Sequence, residues 1–200
     1  MSTQIILASV SPRRKELLAQ INITAIVHSV DLDETPLPNE KPLAYVQRLA
    51  AEKSALCVAT LSTKSTAIMT ANMPILAADT AVVLDDLIMG KPKNKADGIE
   101  MLTRLSGRTH QVYTAISLRG IQHWQAVSIT EVTFKNLTVA EILAYWQTGE
   151  AADKAGAYAI QGLGCSFVKS ITGSYSGVMG LPLFETAELL AKQGIHSLYE

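Results

Sequence analysis

The sequence predicts an α/β fold built on a mixed sheet. Three observations lead there. Short apolar runs alternate with helical spacing along most of the 200 residues, the pattern of strands joined through helices. Two β-rich runs meet near the middle around Gly120, which adds a hairpin. Hydrophobic residues make up 48% of the chain and charged residues 18%, enough for a sizeable core and against global disorder.

The elements follow in order. Residues 5–9, IILAS, read as a first strand, and residues 11–20, SPRRKELLAQ, as a helix with Ser11 as N-cap and Pro12 at the first helical position. AIVHSV (25–30) is a second strand, followed by an acidic, proline-punctuated loop over 31–42. In 42–61, Leu43, Val46, Leu49, Ala50, Lys53 and Leu56 step by three or four, which is helical. The Ser/Thr-rich stretch 62–74 reads as a loop, too short for a domain linker. ILAADTAVVL (75–84) is a strand interrupted by Asp79, where a buried strand is expected to be ending. A turn lies in 85–94, a helix in 95–107 ending at Gly107, and the hairpin strands in 110–120 and 124–134. Thr138 with Glu141 three residues on is a capping box opening the next helix. A glycine-rich segment (153–164), a strand (166–173), a loop (174–184) and a last helix (185–194) complete the chain.

Charge and cysteine usage narrow the function. The formal net charge is −1, so any attraction for phosphate is local and nucleic acid is not an expected partner. Cys57 and Cys165 lie far apart without CxxC spacing. They make no zinc site or disulfide framework and are expected to be buried free thiols. No secretory leader and no apolar run of about 20 residues occurs, so a soluble cytoplasmic protein without a membrane partner is expected.

Four features could carry chemistry. Arg13 and Arg14 stand in the first helical turn, against the helix dipole by a few tenths of a kcal/mol each. They are either a solvated helix face or part of an anion site at a strand-to-helix turn, where guanidinium forks match phosphate. Asp79 is either a strand-end carboxylate capping a turn or an ionised group paired with a cation or metal. Asp31, Asp33 and Glu34 form a solvated loop by default. With Asp79 they also offer hard oxygen ligands for Mg²⁺. Lys53, Lys91 and Lys154 sit beside small residues, each a surface lysine unless a ligand approaches. No GxxxxGK[ST] and no GxSxG motif is present. Together these point to a nucleoside polyphosphate site.

ASVSPRRKELL, DLDETP, RLAAEKSA, AADTAVV, MGKPKN, LSGRTHQVYTAI, GEAADKAGAYAIQG and GSYSGVMGLPL resemble, in order over nearly the whole chain, the successive signatures of the Maf family of nucleotide pyrophosphatases. The resemblance implies one Maf-like domain over residues 1–200. Its fold is the two-lobed mixed-sheet type related to the inosine-triphosphate pyrophosphatases, with a cleft between lobes. It implies hydrolysis of a nucleoside triphosphate to monophosphate and pyrophosphate with a divalent cation, Mg²⁺ or Mn²⁺, in a house-cleaning role. DKAGAYAIQG resembles the subgroup acting on dTTP and UTP.

By the same resemblance Asp79 is the proton acceptor, and Arg13, Thr80 and Gln161 tune substrate choice. Ser9, Arg14, Glu34, Lys53, Lys91 and Lys154 fall on cleft positions; on chemical grounds Asp79 can both take the proton of a water and hold Mg²⁺, and Glu34 can share the ion. A homodimer is expected on family likeness only. Three departures stand out: a surface insertion over 57–74, Gly177 where asparagine is common, and Ala159 where glycine is common. A glutamine offers one acceptor and two donors, complementary to uracil or thymine, and a flipped amide follows cytosine as well. The alternatives are a nucleotide-sensing regulator of cell division without essential catalysis, or a pyrophosphatase for another modified nucleotide.

Overall fold

A computed structural model describes residues 4–62 and 73–196. Among these residues the expected mixed sheet has seven strands: β1 (Gln4–Leu7), β2 (Thr24–Val27), β3 (Ile75–Leu84), β4 (Leu87–Met89), β5 (Thr109–Arg119), β6 (His123–Phe134) and β7 (Val168–Thr172). The order is β2-β1-β3-β5-β6-β7, with β4 paired to β3. β1 runs parallel to β2 and β3, and the remaining pairs are antiparallel. The helices are α1 (Pro12–Gln20), α2 (Pro42–Ser62), α3 (Lys95–Leu105), α4 (Val139–Gln147), α5 (Tyr175–Val178) and α6 (Leu183–Ala191).

One feature of β3 makes room for a site. Its partner on one side is β5 from Ile75 to Val83. On the other side β1 pairs only at Ile75 and Leu76, and β4 takes over only at Val82–Leu84. Between them the edge of β3 has no strand neighbour among the described residues, and Asp79 and Thr80 lie in that gap. Asp79 therefore sits in mid-strand rather than at a strand end. The apolar residues after it carry the strand on to Asp85 and Asp86, whose φ values of 52° and 62° make the tight hairpin turn into β4.

Two apolar clusters lie on either side of this gap. Ile5, Leu7, Leu17, Leu18, Leu76, Leu118, Leu189 and Leu190 pack α1 and α6 against one end of the sheet. Val82, Leu102, Leu105, Phe134, Ile142, Tyr145 and Phe167 pack α3 and α4 at the other. The cleft opens between these two bodies, as expected. A third cluster joins Tyr45, Val46, Leu49 and Ala50 of α2 to Ala81 and Val83. That contact sets α2 against the face of β3 that also carries Asp79, because side chains alternate along a strand.

Several local expectations need correction. Residues 57–62 are the last turns of α2, not an insertion; 63–72 lie outside the described residues. α5 interrupts the expected loop 174–184, with Ser174 accepting from the Gly177 N–H at 3.0 Å. α6 starts at Leu183, two residues before the predicted start. Ser11 occupies the N-cap position of α1, but its side chain caps nothing. Cys57 is buried, whereas Cys165 is exposed. The Thr138–Glu141 capping box forms as the sequence predicts. Among the described residues, no helix is long and apolar enough to cross a membrane.

Candidate active site

A cavity of about 310 Å³ opens at the gap in β3. Ten of the candidate residues line it: Ser9, Arg13, Arg14, Glu34, Lys53, Asp79, Thr80, Lys91, Lys154 and Gln161. Asp31 and Asp33 do not; Asp33 instead accepts the Thr35 N–H at 2.9 Å, a local turn contact.

At the floor, Lys53 of α2 bridges two carboxylates. Its Nζ lies 2.7 Å from Asp79 Oδ1 and 2.5 Å from Glu34 Oε1. The Lys53 side chain is only 11% exposed and that of Asp79 8%, so Lys53 is a cleft residue and not a surface lysine. Burial pushes the Asp79 pKa above the usual carboxylate range, and the Lys53 and Arg14 charges restrain that rise. Glu34 goes the other way. Burial would raise it, but the hydrogen bond and charge of Lys53 outweigh that and hold it below its ordinary value. Two carboxylates in one site thus have pKa values displaced in opposite directions, a common mark of functional groups.

Arg14 forms the second wall. Its Nε donates to the Gly180 carbonyl at 2.8 Å, Nη1 to Ser9 Oγ at 3.1 Å and Nη2 to Thr80 Oγ1 at 3.4 Å. Burial lowers its pKa, opposed by Asp79 and Glu34. The Gly180 carbonyl is presented from a φ of +109°, a conformation that suits glycine. Thr80 Oγ1 also lies 3.0 Å from Thr114 Oγ1, and Thr114 Oγ1 donates to the Gly177 carbonyl at 2.8 Å. A Cβ on Gly177 would come 3.1 Å from Ser174 Cβ and 3.3 Å from Ser128 Oγ; the glycine here suits a tight junction with β6.

The glycine-rich segment supplies the opposite rim. Lys154 pairs with Asp153, and its side chain is 15% exposed, again more enclosed than a surface lysine. The Gly156 N–H donates to the Gly90 carbonyl at 3.1 Å, which ties the Lys154 turn to the strand end that carries Lys91. Gln161 is exposed on the rim, beside Tyr158, Ala159 and Ile160.

Some residues that hold the site were not visible in the sequence as functional. Tyr45 donates to the Glu34 carbonyl at 2.9 Å. Arg48 grips Glu40 at 2.6 Å and 2.7 Å and Glu52 at 3.1 Å. Together they fasten the acidic loop to α2. Tyr158 is buried under the rim, with its hydroxyl 2.9 Å from His110 Nε2. Only the helical spacing of Tyr45, Arg48 and Glu52 offered a signal.

Asp79 and Glu34 also bear on a divalent metal. Among the described residues no three His, Cys, Asp or Glu side chains converge. Asp79 and Glu34 are two carboxylates lining the cavity that could hold such an ion, since Mg²⁺ takes one or two carboxylates and completes its octahedron with other oxygen ligands.

The chain is similar to several known proteins. A profile of the family described as Maf-like protein matches residues 4–193. A relative from Methylococcus capsulatus, named dTTP/UTP pyrophosphatase, is 50% identical over 193 residues, 96% of this chain and 92% of its own length. One from Pseudoalteromonas atlantica with the same name is 48% identical over 192 residues, covering 96% and 97%. The solved structure of the Staphylococcus aureus Ham1 protein aligns with 66% of this chain and 72% of its own at 17% identity, with a TM-score of 0.45.

Proposed function

Since the chain belongs to the Maf family, we propose that it is a nucleoside triphosphate pyrophosphatase that hydrolyses dTTP and UTP to the monophosphate and pyrophosphate. The observation that carries the reading is the buried carboxylate Asp79 with its raised pKa, facing a cavity ringed by Arg13, Arg14, Lys53, Lys91 and Lys154. A sensor of nucleotides needs the cations. It has no use for a basic carboxylate at the floor.

The reaction asks for an in-line water, a base and relief of charge on the leaving group. In the proposed mechanism water oxygen bonds to the α-phosphorus while the bridge to the β-phosphate breaks and pyrophosphate leaves. Asp79 takes the proton of the water. Burial raises the Asp79 pKa, which strengthens it as a base, and the Lys53 ammonium 2.7 Å away opposes that rise and favours the carboxylate that accepts the proton. Arg13, Arg14, Lys53 and Lys91 bind the triphosphate oxygens and offset the charge that gathers on pyrophosphate. That offset accounts for two arginines in the first turn of α1, a turn with no acidic residue.

Asp79 and Glu34 are the residues that would hold a divalent cation. When bound, it supplies charge neutralisation at the phosphates and lowers the pKa of a coordinated water. Gln161, on the rim, faces the base. Its amide presents a donor and an acceptor to O4 and N3–H of uracil or thymine. A cytoplasmic location, a homodimer and a house-cleaning role belong to the same proposal, and none enters the chemistry.

The test is pyrophosphate release from a panel of triphosphates with Mg²⁺ or Mn²⁺, with the nucleotide product identified. dTTP and UTP should give the monophosphate and pyrophosphate. Binding without release from any triphosphate would favour the sensor, and a preference for a modified nucleotide would reassign the substrate.

A further inference from the structure

Gln161 stands on an exposed turn, yet selecting a base needs its amide held in one direction. The structure contains a device for that outside the cavity. Glu150, just beyond α4, spends its carboxylate on the turn that carries Gln161. Its Oε2 accepts the Leu163 N–H at 2.9 Å, and its Oε1 accepts the Gly164 N–H at 3.1 Å. The same Oε1 accepts the Tyr145 hydroxyl at 2.8 Å. That hydroxyl in turn accepts the Ala159 N–H at 3.0 Å. Gln161 is thus bracketed, two residues before it and two residues after it, by main-chain donors that end on one carboxylate.

The surroundings fit this purpose. Tyr145 is 4% exposed, and its ring stacks edge-on against Phe167 with centroids 4.9 Å apart, so the hydroxyl is fixed. A Cβ at Gly164 would lie 2.7 Å from the Ala159 carbonyl and 2.9 Å from the Tyr145 hydroxyl; the turn closes tightly only with glycine there. A Cβ at Gly162 would lie 2.3 Å from Glu150 Oε2. Burial pushes the Glu150 pKa up, but the Leu163 and Gly164 N–H groups and the Tyr145 hydroxyl more than reverse that, which keeps the acceptor ionised for hydrogen bonds of the stronger, charge-assisted kind.

We propose that Glu150 is a positioning residue for base selection, acting with Tyr145 to fix the turn over 159–164 and so the direction of Gln161. This rests on the reading of Gln161 as the residue that faces the base. A glutamine at 150 keeps the size, but its NH₂ would meet a main-chain N–H or the Tyr145 hydroxyl proton, donor against donor. One side of the bracket then opens while the core under it stays filled.

The experiment compares wild type, Glu150→Gln, Gln161→Ala and the double variant on UTP, dTTP and GTP. Amide hydrogen exchange over 159–164 is followed alongside, with Tyr145→Phe as a second route to the same loss. Glu150→Gln should lower kcat/KM for UTP and dTTP roughly tenfold, mainly through KM, the scale of one charge-assisted hydrogen bond. GTP should change less, and exchange at Ala159, Leu163 and Gly164 should quicken. In the Gln161→Ala background the same change should add almost nothing, because the side chain being aimed is gone. Equal losses on all three nucleotides, or the same loss with Gln161→Ala, would overturn the proposal and leave Glu150 a structural residue. Failure of the wild type to release pyrophosphate from any triphosphate would overturn the substrate reading instead. The bracket is then read from exchange alone, and unchanged protection at the three amides in Glu150→Gln overturns it.

Discussion

The Lys53 ammonium lies 2.7 Å from Asp79 Oδ1, and through it Asp79 is coupled to Glu34, whose Oε1 meets the same nitrogen at 2.5 Å. One cation stands between two anions that would otherwise repel each other. Burial favours the neutral acid at Asp79, and Lys53 is the largest influence opposing it. Lys53→Met, which keeps the aliphatic stem and removes the charge, should raise the Asp79 pKa further. A base works only when deprotonated, so activity falls as pH drops through that pKa. The acid limb of kcat/KM in Lys53→Met should therefore move to higher pH. An acid limb at the wild-type position would show that another group sets it.

Asp79→Asn keeps the volume and loses the proton acceptor. Nucleotide binding should persist, since Arg13, Arg14, Lys53 and Lys91 are untouched. The rate should fall by at least ~10²-fold, the scale of removing a general base. Wild-type turnover in Asp79→Asn, measured as pyrophosphate release, would move the role to Glu34.

His110 is 2% exposed, with its Nε2 held by Tyr158 and burial lowering its pKa to about 4. The unfolded chain takes up a proton near pH 6.5, the folded chain only near 4. Stability from this group is therefore complete above pH 6.5 and is lost as pH falls toward 4, to a total of about 3 kcal/mol. Urea unfolding at pH 7, 6 and 5 should show wild type losing stability more steeply than His110→Gln. Parallel slopes would mean that His110 does not titrate in this way.

Much of this arrangement was legible in the sequence, for identifiable reasons. Alternation and capping are local signals, so the strands, the long helix α2 and the Thr138–Glu141 box could be read directly. Arg13 and Arg14 were conspicuous because they oppose a dipole, which is also local. The gap in β3 was not legible. It depends on where β1 stops pairing and β4 begins, which is register and not composition. For the same reason Asp79 was expected at a strand end, and the short β4 was missed. The partners that hold the site depend on contacts far apart in sequence: Arg14 to the Gly180 carbonyl, Glu150 to the Leu163 N–H. No periodicity encodes those.

Arg13→Ala and Lys91→Ala should weaken triphosphate handling with little effect on stability without ligand. Arg13 opposes the dipole of α1, so its removal should leave the apo stability unchanged or higher by a few tenths of a kcal/mol. KM for UTP should rise and kcat fall together, since charge relief is needed in both ground and transition states. A large fall in apo melting temperature with unchanged kinetics would make these cations structural.

Gln161→Glu tests which base the rim accepts. An ionised glutamate only accepts hydrogen bonds. It could still take the N3–H of uracil or thymine, but it would also face O4, acceptor against acceptor. Guanine offers N1–H and N2–H₂, two donors, and meets no such conflict. The lost hydrogen bond is worth about 0.5–1.5 kcal/mol, and an unpaired charge costs more. The exposure of Gln161 on the rim softens the charge penalty in the free enzyme, because water solvates the carboxylate until the base arrives. The conflict is therefore felt on binding rather than on folding. kcat/KM for dTTP and UTP should fall roughly tenfold or more, as about 1.4 kcal/mol is a factor of ten, while guanine triphosphates lose less or gain. Both enzymes are to be assayed on dTTP, UTP, CTP and GTP at one Mg²⁺ concentration. If the ratio of pyrimidine to purine activity is the same in the two, Gln161 does not read the base, and the bracket formed by Glu150 and Tyr145 has nothing to aim.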